Sequence, residues 1–109
     1  MINLRWMRIL VFYDLPVTTD ELRKIYHKFH RFLIKDGYDM LQNSVYCRLC
    51  GGHDAVNKFV TKLERVVPSK GNVRVMTITE KQYASMQFLV GTATKQEKRN
   101  KEQKQLLLF

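Results

Sequence analysis

At 109 residues, with 45% hydrophobic content that includes six Phe, five Tyr and one Trp, the chain has the length of one domain and the apolar material for a core. Nineteen Lys and Arg against ten Asp and Glu leave a formal charge of +9, the footprint of a protein that meets polyphosphate, though a basic surface kept for solubility or docked on an acidic protein has the same composition. No stretch approaches the roughly 20 apolar residues of a membrane span, Met1–Trp6 lacks the apolar core of a secretory signal, and two cysteines are too few for a disulfide scaffold, so a cytoplasmic protein with reduced thiols is expected.

Ile9–Tyr13 is an unbroken apolar run, rich in β-branched and aromatic residues, that ends in Asp14-Leu15-Pro16. It predicts a strand at the centre of a sheet or covered on both faces. Pro16 cannot donate to a ladder and pushes Leu15 toward extended geometry, which leaves Asp14 at the strand's exit, within reach of solvent, metal or phosphate. Its position equally fits a carboxylate that only caps the turn. Thr18 with Glu21 predicts a capping box, followed by a helix whose apolar stripe is Leu22, Ile25, Tyr26, Phe29, Phe32 and Leu33. Arg23, Lys24, His27, Lys28, His30, Arg31 and Lys35 cover the rest of that helix, and Gly37 is its left-handed stop.

Tyr38–Gln42 and Ser44–Leu49 read as a hairpin about Asn43-Ser44, the second strand alternating Val45, Cys47 and Leu49 with Ser44, Tyr46 and Arg48. Past Gly51-Gly52, His53 or Asp54 opens a second helix, apolar at Val56, Phe59, Val60, Leu63, Val66 and Val67 and ended by Pro68. Lys70-Gly71-Asn72 is a turn and Val73–Thr79 a strand, with Val73 and Val75 on one face and Arg74, Met76 and Ile78 on the other. The order βαββαβ places four antiparallel strands under two helices, a ferredoxin-like α+β fold. An RNA-recognition module shares this order, but Ser44–Leu49 does not match the aromatic, glycine-containing octet it requires.

Thr79–Met86 predicts a short helical turn and Gln87–Val90 an additional C-terminal strand, so that Gly91 closes a domain of residues 1–91. Residues 92–109 form a charged arm. Thr92–Gln105 has no apolar stripe, and Leu106-Leu107-Leu108-Phe109 is an apolar anchor that calls for another chain, by strand addition to a sheet edge or insertion into a pocket.

Asp14 is the residue with the most chemistry to offer. One carboxylate holds Mg²⁺ poorly unless a second ligand or a phosphate assists, and a two-fold dimer that sets Asp14 opposite its own copy supplies that ligand. A metal so held could activate water or clamp a phosphodiester. No other residue presents itself as a general base: His27 and His30 on the basic helix and His53 at the start of the second read as solvated or capping groups. Cys47 and Cys50 lack a second pair for zinc and lie three apart on a strand, on opposite faces, as core and turn thiols. Gly51-Gly52-His53 before a helix fits a phosphate cradle or a plain turn. Arg23, Lys24, Lys28, Arg31 and Lys35 fit a nucleic-acid backbone contact or a solvated helix face.

Phe12-Tyr13-Asp14-Leu15-Pro16, Ser44-Val45-Tyr46, Gly71-Asn72-Val73-Arg74 and Thr79-Glu80-Lys81-Gln82 together, in order and spacing from about Met7 to Gly91, resemble the second core adaptation protein of CRISPR systems, particularly its type II forms. Met1–Trp6 precedes the usual start of such chains. The resemblance implies a ferredoxin-like homodimer whose paired Asp14 carboxylates hold Mg²⁺, with metal-dependent endonuclease activity on single-stranded RNA or duplex DNA. It also implies a scaffold that binds duplex DNA and bridges dimers of the CRISPR integrase during spacer acquisition, the C-terminal segment contributing to assembly. A stand-alone, toxin-like metal-dependent ribonuclease of the same fold is the alternative, distinguished by activity without the integrase.

Overall fold

The structure, a computed structural model, describes residues 5–99. Strand β1 (Met7–Asp14) is followed by helix α1 (Asp20–Lys35), strands β2 (Asp39–Gln42) and β3 (Val45–Cys50), helix α2 (His53–Val66), strand β4 (Asn72–Thr79) and helix α3 (Glu80–Ala84). The four strands form one antiparallel sheet in the order β2-β3-β1-β4, the ferredoxin-like arrangement. None of the described helices is long and apolar enough to cross a membrane.

The run at β1 becomes the sheet's inner strand because each residue must satisfy both faces. Met7, Ile9, Val11 and Tyr13 point at the helices and join Tyr46 and Cys50 of β3, Phe29 and Leu33 of α1, and Val56 and Leu63 of α2 in the core. The pleat then sends Arg8, Leu10, Phe12 and Asp14 to the other face. Of the two sets that alternate on β3, it is Tyr46 with Arg48 and Cys50 that faces the helices, since they pair with Val11, Ile9 and Met7. Arg48 is tolerated there because it is satisfied. Its Nε donates to the Asp36 carbonyl at 2.9 Å, Nη1 donates to the Leu49 carbonyl at 2.7 Å, and the guanidinium lies 3.6 Å from the Phe59 ring centre.

Helix α1 begins one residue later than its expected cap. Thr19, not Thr18, accepts the Leu22 N–H at 3.1 Å, which puts Leu22 where the reciprocal Glu or Gln would have to stand, so no capping box forms. Gly37, at φ +92°, turns the chain out of α1 in the left-handed region as expected. The box appears at α3 instead: Thr79 Oγ1 accepts from Gln82 N while Gln82 Oε1 accepts from Thr79 N.

The open face of the sheet is covered at one end only. There Arg8, 5% exposed, donates from Nε and Nη2 to both carboxylate oxygens of Glu80, at 2.6 and 3.1 Å, and lies 4.0 Å from the Tyr83 ring centre. Removing one member of so buried a pair costs about 3–5 kcal/mol, because the other charge is left behind.

One expectation at the C-terminal end is corrected. Gln87–Val90 is not an additional strand: it is irregular, with Leu89 and Val90 91% and 93% exposed, because β4 already ends the sheet and nothing described pairs with this segment. The described part of the arm is docked. Residues 95–99 are helical and capped by Thr94, whose Oγ1 accepts the Glu97 N–H at 3.2 Å while Glu97 Oε1 accepts the Thr94 N–H at 3.0 Å. Glu97 Oε2 also accepts the Tyr83 hydroxyl at 2.7 Å. Leu106, Leu107, Leu108 and Phe109 lie outside the described residues.

This docking closes the β2 edge with side chains. Met40 N–H donates to Gln96 Oε1 at 2.7 Å, and Thr94 Oγ1 donates to the Met40 carbonyl at 3.0 Å, so both outward groups of an edge residue are satisfied without a fifth strand. The double substitution Thr94→Val with Gln96→Ala is expected to raise hydrogen exchange at the Met40 amide about tenfold or more while the β1 amides stay protected. Equal protection of Met40 in both chains would show that the edge is closed by something else.

Candidate nucleic-acid site at the end of the central strand

Asp14 closes β1, paired with Asn72 of β4, and its side chain is exposed on the open face. The residues on either side fix it. Tyr13, 6% exposed, stacks on Tyr46 at 5.7 Å and meets Phe29 and Tyr26 edge-on, and its N–H donates to the Ser44 carbonyl at 3.1 Å. Burial pushes the Tyr13 hydroxyl well above its usual range, so it stays neutral. Leu15 returns to the core at 8% exposure. Gly71, at φ +86°, runs against this exit so closely that a Cβ there would lie 2.6 Å from the Asp14 carbonyl oxygen.

Around the carboxylate, Phe12, Tyr13, Asp14, Ser44, Val45, Asn72 and Arg74 line a shallow depression of about 360 Å³. Among the described residues no three His, Cys, Asp or Glu gather into a metal cluster, and Asp14 is the one carboxylate in the lining of this depression. The histidines are not brought to it. His30 Nδ1 pairs with the Tyr46 hydroxyl at 2.5 Å, His27 packs edge-on to Tyr26, and His53 begins α2 beyond Cys50, which pairs with the opposite end of β1.

Arg23, Lys24, Lys28, Arg31 and Lys35 are all exposed on α1. Arg23 is occupied locally, donating to the Val17 carbonyl at 3.0 Å and to Asp20. The other four form no ion pair among the described residues. Their spacing of four, three and four puts them on one stripe of the helix, roughly 16 Å long at 1.5 Å per residue.

The sequence model of the family described as CRISPR associated protein Cas2 matches residues 7–86. The chain belongs to the Cas2 family. It is 54% identical over 93 residues to a CRISPR-associated endoribonuclease Cas2 of Acidovorax ebreus, covering 85% of this chain and 91% of the relative. A Cas2 of the same name from Ligilactobacillus salivarius is 42% identical over 102 residues, covering 94% of this chain and all of the relative. A solved structure titled "Crystal structure of cas2" superposes with a TM-score of 0.57 at 21% identity, covering 83% of this chain and 92% of that one, and supports the fold alone. The Cas2 match holds β1 through α3 and therefore Asp14; it stops before the exposed Phe88, Leu89 and Val90.

The two cysteines of this Cas2 family member lie on opposite faces of β3, both buried and free. Burial pushes the Cys47 thiol up to about 11, the neighbouring Arg8 opposing it, and burial raises Cys50 as well. Sequence alone did not point to Arg8, Glu80 and Tyr83 as a unit, since the partners are 72 positions apart and meet only through the register of β1 with β4.

Two outcomes are expected. Gly71→Ala places a Cβ on the Asp14 carbonyl in a left-handed conformation and should lower stability by about 1–3 kcal/mol in denaturant unfolding, with the largest amide shifts at Asp14 and Leu15; an unchanged midpoint would mean the turn relaxes freely. The raised Cys47 pKa means that its neutral thiol stabilises the fold fully below the unfolded thiol's pKa and that this contribution is lost as pH climbs toward 11. Native Cys47 should therefore resist alkylation at pH 7.5 and react as rapidly as a free thiol only in denaturant.

Proposed function

We propose that this Cas2 family member is a CRISPR adaptation protein that acts as a homodimer, binds duplex DNA and bridges integrase dimers during spacer acquisition. In the same reading, paired Asp14 carboxylates hold Mg²⁺ and give the dimer endonuclease activity on single-stranded RNA or duplex DNA. One observation carries it: a single exposed carboxylate held at the exit of the central strand, with no metal-ligating cluster among the described residues. Such a donor set fits Mg²⁺ as half a site, because this ion keeps most of its waters and needs only one or two carboxylates. When bound, it would supply Lewis acidity and a more acidic water.

The chain's own surfaces support the rest. Among the described residues nothing pairs with the outer edge of β4, where Val75 and Met76 are half-exposed, and Phe88, Leu89 and Val90 form an apolar stretch that a second copy would cover. Lys24, Lys28, Arg31 and Lys35 offer a row of point charges to a phosphate backbone, and contacts of this kind are sequence-independent. Leu106–Phe109 is read as the anchor for the integrase. With no second carboxylate and no histidine lining the Asp14 depression among the described residues, cleavage in this reading depends on the dimer and is slow beside the binding role.

The name endoribonuclease that these relatives carry favours a second reading, a stand-alone ribonuclease. Asp14→Ala separates the two. Cleavage of single-stranded RNA and duplex DNA with Mg²⁺ is expected to fall at least about 100-fold, while spacer integration by the chain with its integrase persists. Loss of integration together with cleavage would overturn the scaffold reading, and unchanged cleavage would remove Asp14 from the site.

A further inference from the structure

The strands carry three arginines, and two are committed. Arg8 is bound by Glu80 and packed on Tyr83; Arg48 is bound to the Asp36 and Leu49 carbonyls and packed on Phe59. Arg74 is exposed and forms no ion pair or side-chain hydrogen bond among the described residues. It sits in the same depression as Asp14.

The pairing of β1 with β4 fixes this juxtaposition. Asp14 stands opposite Asn72 and Phe12 opposite Arg74, so all four side chains lie on the open face with Arg74 diagonal to Asp14. Diagonal neighbours of an antiparallel pair are about 7–8 Å apart, within reach of an arginine. An exposed guanidinium beside an unpaired carboxylate could close onto it, yet no ion pair joins them. The two charges instead flank a space with half-buried Phe12 and Val45 in its lining.

A phosphodiester suits both sides of that space. Its non-bridging oxygens match the planar fork of a guanidinium, which an ammonium cannot reproduce, and its phosphorus would lie toward the carboxylate side. We propose that Arg74 is the phosphate-holding residue of the Asp14 site, binding the non-bridging oxygens of a nucleic-acid phosphodiester. The inference rests on the Asp14 reading above and adds a residue to it. In hydrolysis a water oxygen bonds to phosphorus as the bond to the departing sugar oxygen breaks; the proton lost by water is balanced by the one that oxygen takes up. Arg74 transfers nothing. It strengthens its hold as negative charge grows on the oxygens it binds.

The test uses the full chain with Arg74→Gln and Arg74→Lys, single-stranded RNA and duplex DNA oligonucleotides, Mg²⁺, and light scattering for oligomeric state. Arg74→Gln should lower kcat about 100-fold and weaken oligonucleotide binding without Mg²⁺, while the melting temperature and oligomeric state stay as in the parent. Arg74→Lys should restore binding more than kcat, since it keeps the charge and loses the fork. Parental binding and cleavage by Arg74→Gln, beside an inactive Asp14→Ala, would overturn the role of Arg74 and leave the site standing. Cleavage undiminished in Asp14→Ala would bring down the site itself. Loss of the dimer in both Arg74 variants would reassign Arg74 to the subunit interface. If the parent chain does not cleave, unchanged oligonucleotide binding by Arg74→Gln is enough to reject the proposal.

Discussion

A strand paired along both edges and packed on one face has only its end and its second face to offer. β1 is that strand: β3 and β4 hold its two sides, and Ile9 and Val11 are wholly buried under the helices. Its backbone groups are spent on ladders, so displacing it would expose donors and acceptors on both sides at once. Everything chemically available on β1 therefore follows from parity. Even-numbered positions face away from the helices, and Asp14 is the last of them.

The even-numbered face is treated differently at its two ends. At the Met7 end, Arg8 is neutralised by Glu80, roofed by Tyr83 and followed by the docked segment from Thr94. At the Asp14 end the carboxylate, Asn72 and Arg74 stay uncovered. The same residue type thus has opposite fates on neighbouring strands. Arg8 is buried where a carboxylate is supplied to it, and Arg74 is left exposed where the adjacent carboxylate is not paired with it. Desolvating an arginine is costly without a partner, so burial of Arg8 requires Glu80, whereas exposure of Arg74 requires only that nothing cover it.

The fold was legible because its signals are local. The apolar run before Asp14, the Pro16 stop, the stripe containing Phe29 and Leu33, and the helical turn from Thr79 are each written within a few residues. Where two local signals competed, neighbours decided. Thr18 and Thr19 are chemically equivalent caps, and the choice of Thr19 moved Glu21 out of the position a capping box needs. Gln87–Val90 has strand composition but no described partner, and a strand is a property of a pair. The segment from Thr94 has no apolar stripe and docks through polar side chains to Met40 and Tyr83, which no hydrophobic period encodes. At the candidate site the sequence marked Asp14 but not why it is rigid, because Gly71 and Tyr46 reach it through tertiary contact.

One carboxylate in the lining of the candidate site, among the described residues, also constrains what kind of nuclease this fold could be. Assembling a full ligand set within one chain would require further acids on Asn72 or Ser44, the polar neighbours of Asp14, and each added negative charge would repel the phosphate backbone that the proposed function assigns to the α1 stripe. Borrowing the second carboxylate from another copy avoids that conflict, since the acids converge only where the copies meet. It ties chemistry to assembly. Under the proposed reading, an isolated chain would keep a basic surface with little means to cut, and cutting would be confined to the interface of a pair.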